Sequence, residues 1–254
     1  MTMILLKSVK LLIKIAFSVL AVTVFTATSA SSQTTGPLPS ADDVVSRMVR
    51  SDIERRSELT GYTALRRYAV VSKDRQAEMV VRLDCSPEGT KQFTIISEEG
   101  SSAIRKHVFY KMLREESEMS RRETRDSSRI TPANYKFYLV GRQNLDIGPA
   151  YVLTIFPKTE KEHLIQGTIW VNAQDYSIVR IEGQTARNPS FWVHNVHFVH
   201  TYQRVGQFWF ASSTHSTSEV RIFGPSDLTI ENSDYKLNPP RKLTQEESVA
   251  SLVR

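Results

Sequence analysis

Three histidines in one segment form the pattern most suggestive of a metal site. His194, His197 and His200 recur at intervals of three residues. The residues around them are mostly of the types enriched in strands: Val193, Val196, Phe198, Val199 and Tyr202. In a regular strand His194 and His200 share one face about 20 Å apart, and His197 points to the other face. The spacing therefore predicts a strand and no metal site.

The possible nucleophiles lack the neighbours that hydrolysis requires. The chain has no GxSxG motif, and Ser212–Ser213 and Ser218–Glu219 near His215 are typical polar residues of a strand. The single cysteine, Cys85, has no histidine or basic residue directly beside it. We expect it to be a small buried side chain, and the alternative is a disulfide to a partner protein. The sequence predicts no catalytic residue, no cofactor and no enzymatic activity.

The first thirty residues have the layout of an export signal. Lys7, Lys10 and Lys14 precede an apolar run of eleven residues, 15–25, and small residues follow up to Ala30. The alternative is an uncleaved membrane anchor, but a helix needs about 20 apolar residues to span a bilayer. We predict a signal peptide over 1–30, cleavage after about Ala30 and a periplasmic location.

The net charge of +6 depends partly on this segment, which has three lysines and no acidic residue. Its removal reduces the 33 basic residues to 30 against 27 acidic ones, a net charge of +3. So small an excess predicts no nucleic-acid partner. We expect a flexible leader over 31–40, a single domain over 41–236 and a polar tail over 237–254, since no linker-like stretch interrupts the middle.

The mature chain begins with a helix and three strands. Ser40 and Asp43 resemble a capping box, and apolar residues then recur at helical spacing, which predicts a helix over 41–58. Three strand-like runs follow, separated by short polar turns: 61–72, 77–86 and 90–97. Connections this short predict an antiparallel meander.

A second helix and a longer meander complete the chain. Ile104, Val108 and Met112 form the apolar stripe of a helix over 102–119. Seven further strand-like runs follow: 135–140, 151–156, 164–171, 176–182, 191–203, 208–219 and 228–235. About ten antiparallel strands either curl into a barrel-like sheet or split into a sandwich. In 151–156 both faces are apolar, so a helix, an opposed sheet or a ligand must cover each of them.

The order of these elements resembles the LolA/LolB-like superfamily of periplasmic lipoprotein carriers, which is related to RseB-type sensor domains. The similarity extends over 134–235, in NYKFYLVGRQ, AYVLTIFPKT, PSFWVHNVHFVHTYQRVGQFWF, SEVRIFG and LTIENSDYKL, and above all in the hairpin IQGTIWVNAQDYSIVRIEG. The resemblance implies an α+β fold: a half-open antiparallel β-barrel with helices packed in or over an apolar concave face. It also implies a cavity for a lipid or a lipoprotein acyl chain.

If the protein is such a carrier, we expect the cavity to be lined by Ile104, Val108 and Met112 on the helix and by Leu153, Ile155 and Ile169 on strands. The protein would then move its ligand between membranes. The alternative is a protein-interaction or stress-sensor module, with envelope membrane proteins as partners and its apolar face closed by its own helices. A second alternative is a hydrolase without a recognisable motif. The chain lacks an acylated N-terminal cysteine, and its first meander does not align with an arginine-bearing strand of the carriers, so Arg66, Arg67 and Arg82 receive no gating role.

Overall fold

The computed structural model describes residues 37–121, 125–161, 163–187, 193–220 and 224–239. The predicted signal peptide, most of the leader and most of the tail lie outside these residues. Helix α1 (Ala41–Glu58) is capped at its N-terminus by Ser40, whose hydroxyl accepts a hydrogen bond from the backbone N–H of Asp43. Among the described residues, no helix has both the length and the apolar character needed to cross a membrane.

The strands follow the predicted order. The first meander consists of β1 (Tyr62–Ser72), β2 (Arg75–Cys85) and β3 (Lys91–Gly100). A continuous helical segment follows, made of α2 (Ser102–Ile104), a π-helical turn (Arg105–Phe109) and α3 (Tyr110–Met119). The second meander is β4 (Tyr135–Leu145), β5 (Gly148–Pro157), β6 (Ile165–Asn172), β7 (Ile178–Thr185), β8 (Val193–Val205), β9 (Phe208–Val220) and β10 (Gly224–Leu237).

These strands form one antiparallel sheet of ten strands within the described residues, in the order β3-β2-β1-β10-β9-β8-β7-β6-β5-β4. The pairing of β1 with β10 joins the two meanders. β3 and β4 form the two edges, so the sheet curls without closing. The predicted α+β class, a half-open antiparallel barrel of ten strands with two helices, is confirmed.

One row of directly opposed residues defines the face of the sheet that the helices cover. Because directly opposed residues point to the same side of a sheet, the row identifies one face across nine strands. From β2 to β4 the row is Met79, Tyr68, Ile230, Thr214, His200, Ile181, Ile169, Leu153 and Leu139. We call this side the covered face.

Two apolar clusters hold the helices against the covered face. Val44, Val45 and Met48 of α1 pack on strands β5 to β7, and we call this cluster the α1 core. Its strand residues include Leu153, Ile155, Ile169, Val171 and Ile181. The helical segment 102–119 buries Ile104, Phe109 and Leu113 against β1 and β2. The two helices therefore cover opposite ends of one face.

Candidate functional site

A cavity of about 560 Å³ lies on the covered face, next to the C-terminal half of α1 and the end of α3. We call it the main cavity. Helix α1 contributes Asp52, Arg55 and Arg56, Leu59 follows the helix directly, and α3 contributes Glu116 and Met119. Its sheet residues come from β1, β2, β3, β8, β9 and β10: Tyr62, Arg66, Cys85, Lys91, His200, Tyr202, Phe208, Trp209, Phe210, Ala211, Thr214, Ile230, Asn232 and Tyr235.

A side cavity of about 250 Å³ adjoins the main one. The two share six lining residues: Asp52, Arg55, Arg56, Arg129, Tyr202 and Trp209. The side cavity extends under α1 towards Met48, Val49 and Ile178. The shared residues therefore form a charged and aromatic boundary between the main cavity and the α1 core.

Aromatic rings make up much of the apolar wall of the main cavity. The rings of Phe210 and Tyr235 stack with their centroids 4.7 Å apart, and Tyr62 lies 4.6 Å from Phe210 at a tilt. The Tyr235 hydroxyl donates a hydrogen bond to the backbone carbonyl of Ala211. Trp209 donates from its indole Nε1 to the carboxylate of Asp175. These contacts hold the rings together as one packed aromatic group in the wall.

A buried arginine lies among these rings. Arg66 is only 6% exposed, because its position in β1 faces inward, like those of Ala64 and Tyr68 two residues to either side. Its guanidinium donates to Asn232 Oδ1 at 2.6 Å, to the Tyr68 hydroxyl at 3.1 Å and to Glu116 Oε2 at 2.6 Å. Burial alone would lower the pKa of Arg66, but Glu116 and Tyr68 raise it above its ordinary value. Arg66 therefore remains charged at every physiological pH.

Glu116 is shared between two cations. Its second oxygen, Oε1, accepts from Lys91 Nζ at 2.7 Å. Burial opposes ionisation of this carboxyl, but Lys91 and Arg66 outweigh it and lower the pKa of Glu116 to about 2. We call Arg66, Lys91 and Glu116 the Glu116 cluster. It carries two positive charges and one negative charge, and it connects α3 to the sheet.

A second cluster of the same composition lies at the boundary of the two cavities. Asp52 accepts from Arg56 at 2.8 Å and from Arg129 at 2.7 Å. We call these three residues the Asp52 cluster. Nearby, Arg55 donates to the backbone carbonyl of Asp175. Arg129 has a second contact, 3.7 Å, with the exposed carboxylate of Asp126, which does not line the cavity.

His200 points into the main cavity from β8. Its ring nitrogen lies within hydrogen-bonding distance of the Thr214 hydroxyl. Burial and the neighbouring Lys91 and Arg66 lower its pKa to about 4, so the ring is neutral at pH 7. His197 is exposed and pairs with Thr217, on the opposite face. No group of three or more metal-ligating side chains occurs within the described ranges.

One detail of the predicted histidine geometry is wrong. We expected His194 to share a face with His200, but the register shifts between His194 and His197, where Asn195 has a positive φ of 51°. The partners of His194 and His197 are Glu219 and Thr217, which lie two residues apart and so on one face. His194 therefore shares the outer face with His197.

Cys85 is buried, as predicted, at the end of β2. Burial raises the pKa of its thiol. A buried thiol with a raised pKa is a poor nucleophile at neutral pH. Its contribution to the main cavity is packing beside Tyr62.

The six predicted lining residues occupy two separate places. Leu153, Ile155 and Ile169 are fully buried in the α1 core, where α1 covers them. Ile104 is buried beneath the helical segment 102–119, and Val108 and Met112 pack partly buried against the same cluster. Among the described residues, the walls of the two cavities include none of the six. Contact of any of them with a ligand stays a prediction.

The sequence contains a signal for the burial of Arg66 that the predicted site did not include. The inward positions of β1 are Tyr62, Ala64, Arg66, Tyr68 and Val70, so a charge interrupts an otherwise apolar alternation. Such an interruption indicates a buried charge with a specific partner. Its partner Glu116 is 50 positions away on α3, and no local pattern connects the two.

Comparison with known proteins gives matches at the level of the fold. No family model and no curated protein sequence matches the chain. Among solved structures, a DUF1329 family protein from Desulfovibrio piger has a TM-score of 0.44 and 13% identity, over 84% of this chain and 99% of that one. A LolA superfamily protein from Nitrosomonas europaea has a TM-score of 0.42 and 11% identity, over 82% and 97%. An outer membrane lipoprotein-sorting protein domain from Vibrio parahaemolyticus has a TM-score of 0.42 and 12% identity, over 84% and 100%. The structures similar to this chain thus include the LolA-like group that its sequence resembles.

Proposed function

We propose that this protein binds an acyl chain, of a lipid or a lipoprotein, in the main cavity. The observation that carries the proposal is the cavity itself: about 560 Å³ of space beside an aromatic wall, on the covered face of an unclosed sheet. Sites for small molecules and cofactors measure roughly 300–1,000 Å³ and are mostly apolar with a few polar groups.

The contrast with the α1 core supports this use of the space. The side chains of α1 fill the covered face above β5 to β7, whereas a cavity remains above β8 to β10. Phe208 and Phe210 are only 8% and 7% exposed, so the half-buried Tyr235 offers more of the apolar surface that an acyl chain can cover. Each Å² so covered gains about 25 cal/mol. Binding of this kind needs apolar surface and no catalytic groups.

The proposed setting is the cell envelope. The basic and apolar start of the chain has the layout of an export signal, and the resemblance to periplasmic carriers is in keeping with it. A protein that holds acyl chains between two membranes shields them from water. Transfer of the ligand between membranes is therefore part of the proposal.

Native mass spectrometry of the protein purified after expression and export tests the binding of an acyl chain. We expect a bound lipid at about one per chain, released by organic extraction. The variant Ala211→Phe places a ring in the main cavity and should carry no lipid. Its matched control is Thr217→Phe, an exposed position on the other face of β9, which should carry lipid as the wild type does.

Wild-type protein that carries no lipid and takes up no added fatty acid would overturn the proposal. Equal lipid content in Ala211→Phe and wild type would overturn the assignment to the main cavity. A stable envelope protein partner that remains after delipidation, without any lipid binding, would favour an interaction module instead.

The lining predicted from the resemblance has its own test at Val108. This residue is partly buried beside the cluster of Ile104 and Phe109. If it lines a ligand site, Val108→Asp weakens lipid retention more than it lowers the free energy of unfolding. Equal losses would show that Val108 is part of the core alone.

A further inference from the structure

The main cavity carries an excess of positive charge. Its described lining includes six cationic side chains and two carboxylates. The cations are Arg55, Arg56, Arg66, Lys91, Arg125 and Arg129, and the carboxylates are Asp52 and Glu116. Four net positive charges in one cavity stand out in a chain whose total net charge is +6.

We propose that the ligand is an anionic amphiphile, an acyl chain that ends in a carboxylate or a phosphate, whose head group binds between the Glu116 cluster and the Asp52 cluster. This inference rests on the proposed function, and it names the class of ligand.

The two clusters are built to leave charge unbalanced. In each, one carboxylate of the cavity lining faces two cations: Glu116 faces Arg66 and Lys91, and Asp52 faces Arg56 and Arg129. Arg129 has a longer second contact, 3.7 Å, with the exposed Asp126 outside the lining. A single carboxylate accepts hydrogen bonds from both partners but cancels only one of their charges. In a partly desolvated site, like charges repel more strongly than in water. An anion bound between the clusters relieves this repulsion.

The other cations of the wall are held mainly by backbone carbonyls. Arg55 donates to the carbonyl of Asp175, and Arg125 donates to that of Glu88. A carbonyl accepts a hydrogen bond without cancelling the charge. The Asp175 carboxylate also lies near Arg55 and offsets part of its charge. Arg129 has a further free donor, since its buried Nε makes no hydrogen bond within the described part of the chain.

The apolar wall distinguishes an amphiphile from a small soluble anion. Tyr62, Phe208, Phe210 and Tyr235 form a continuous aromatic surface in the same cavity as the cations. A free phosphate or carboxylate would leave the accessible part of these rings in contact with water, which is small for Tyr62, Phe208 and Phe210. A ligand with one anionic end and one apolar chain complements both halves of the wall.

Calorimetric titration with matched probes tests the inference. Lauric acid at pH 7.5 carries a carboxylate, and its monoglyceride has the same acyl chain with a neutral head. Dodecyl phosphate tests the other anionic source. Each is used below its critical micelle concentration with full-length protein freed of bound lipid. We expect the anionic probes to bind at least about tenfold more tightly than the monoglyceride.

Two variants remove the excess charge without leaving a carboxylate of the cavity lining unpaired. Lys91→Gln leaves Glu116 paired with Arg66, and Arg129→Gln leaves Asp52 paired with Arg56. Each should weaken laurate binding about tenfold and leave monoglyceride binding within about twofold. Controls of the same type are Lys111→Gln and Arg82→Gln, exposed residues away from the cavity that each contact one carboxylate.

Tighter binding of either anion than of the monoglyceride supports the inference, and the tighter of the two identifies the head group. Equal binding of laurate and monoglyceride, or equal effects of cavity and control variants, would overturn the inference while the proposed function stands. Binding of none of the three probes would overturn both.

Discussion

The covered face has two regions that the same row of opposed residues crosses, and they are built differently. Above β5 to β7 the row consists of Leu153, Ile169 and Ile181, which α1 buries in a dry core. Above β8 to β10 it consists of His200, Thr214 and Ile230, which line the main cavity. The first region is apolar and filled, and the second is mixed and has space.

The difference shows how the two regions divide the work of folding and binding. Helix α1 ends at Glu58, and its last turns carry Asp52, Arg55 and Arg56 where the first turns carry Val44 and Val45. The apolar side of the helix therefore stops where the cavity begins. The α1 core supplies stability, and the main cavity contains the charged groups that, under the proposed function, a ligand would complement.

The largest expected effect compares two isoleucines in the same row. Ile169→Ala removes a fully buried side chain from the α1 core and should lower the free energy of unfolding by about 4 kcal/mol. Ile230→Ala removes a partly exposed side chain from the cavity wall and should cost about 1 kcal/mol. Urea denaturation of the two variants measures both values. Equal losses would contradict the division into a core and a cavity.

The next effect comes from the carboxylate of the Glu116 cluster. Glu116→Gln leaves Arg66 and Lys91 without their anion and should cost about 3 kcal/mol of stability. The same change raises the positive excess, so laurate should bind more tightly. The neighbouring Glu115→Gln, which removes an exposed i,i+4 pair with Lys111, is the control and should change neither quantity measurably. Stability and affinity that fall together in Glu116→Gln would contradict the charge argument.

Acid should lower the stability of the protein through His200, which lines the main cavity. The folded-state pKa of about 4 lies below the ordinary value near 6.5, so below pH 6.5 the unfolded chain takes up a proton that the folded chain refuses. Stability should therefore fall by about 2 kcal/mol as the pH decreases from 6.5 to 4. His200→Gln should flatten this part of the profile, and His215→Gln, an exposed residue on the adjacent strand, should not. A profile unchanged in His200→Gln would show that His200 is not the group responsible.

The smallest effect is the loss of stability in Lys91→Gln, which we expect to be below about 1 kcal/mol. Glu116 keeps its hydrogen bond from Arg66, so neither of these two charges loses its partner. Thermal unfolding beside Lys111→Gln measures the difference. A loss above about 3 kcal/mol would mean that Lys91 maintains the fold and would remove it as a specific probe of binding.

Local patterns in the sequence were enough to predict the elements of the fold. The cap at Ser40 and the helical spacing of Val44, Val45 and Met48 set the limits of α1, which the structure reproduces as Ala41–Glu58. The short polar turns between apolar runs predicted the two antiparallel meanders. These signals act over a few residues, so they can be read without knowledge of tertiary contacts.

The site depended on long-range contacts that local patterns do not contain. The doubly apolar strand at 151–156 indicated that both faces need cover, but it did not show that α1 covers Leu153 and Ile155. The bulge at Asn195, which moves His194 to the outer face, has no glycine to mark it. The pairing of Arg66 with Glu116 joins two elements that are far apart in the chain.

Two tryptophans, one in the main cavity and one on the outer face of the sheet, allow the most direct test of the central claim. Trp209 lines the main cavity, whereas Trp170 lies on the outer face of β6, where its indole donates to Gln143 and Arg180 stacks on its ring. One variant keeps only Trp209 and another keeps only Trp170, with the remaining tryptophans replaced by phenylalanine. Each is titrated with a brominated fatty acid, which quenches indole fluorescence at short range. Acyl-chain binding in the main cavity predicts saturable quenching of Trp209 and none of Trp170. Equal quenching of both, or quenching of neither, would contradict it.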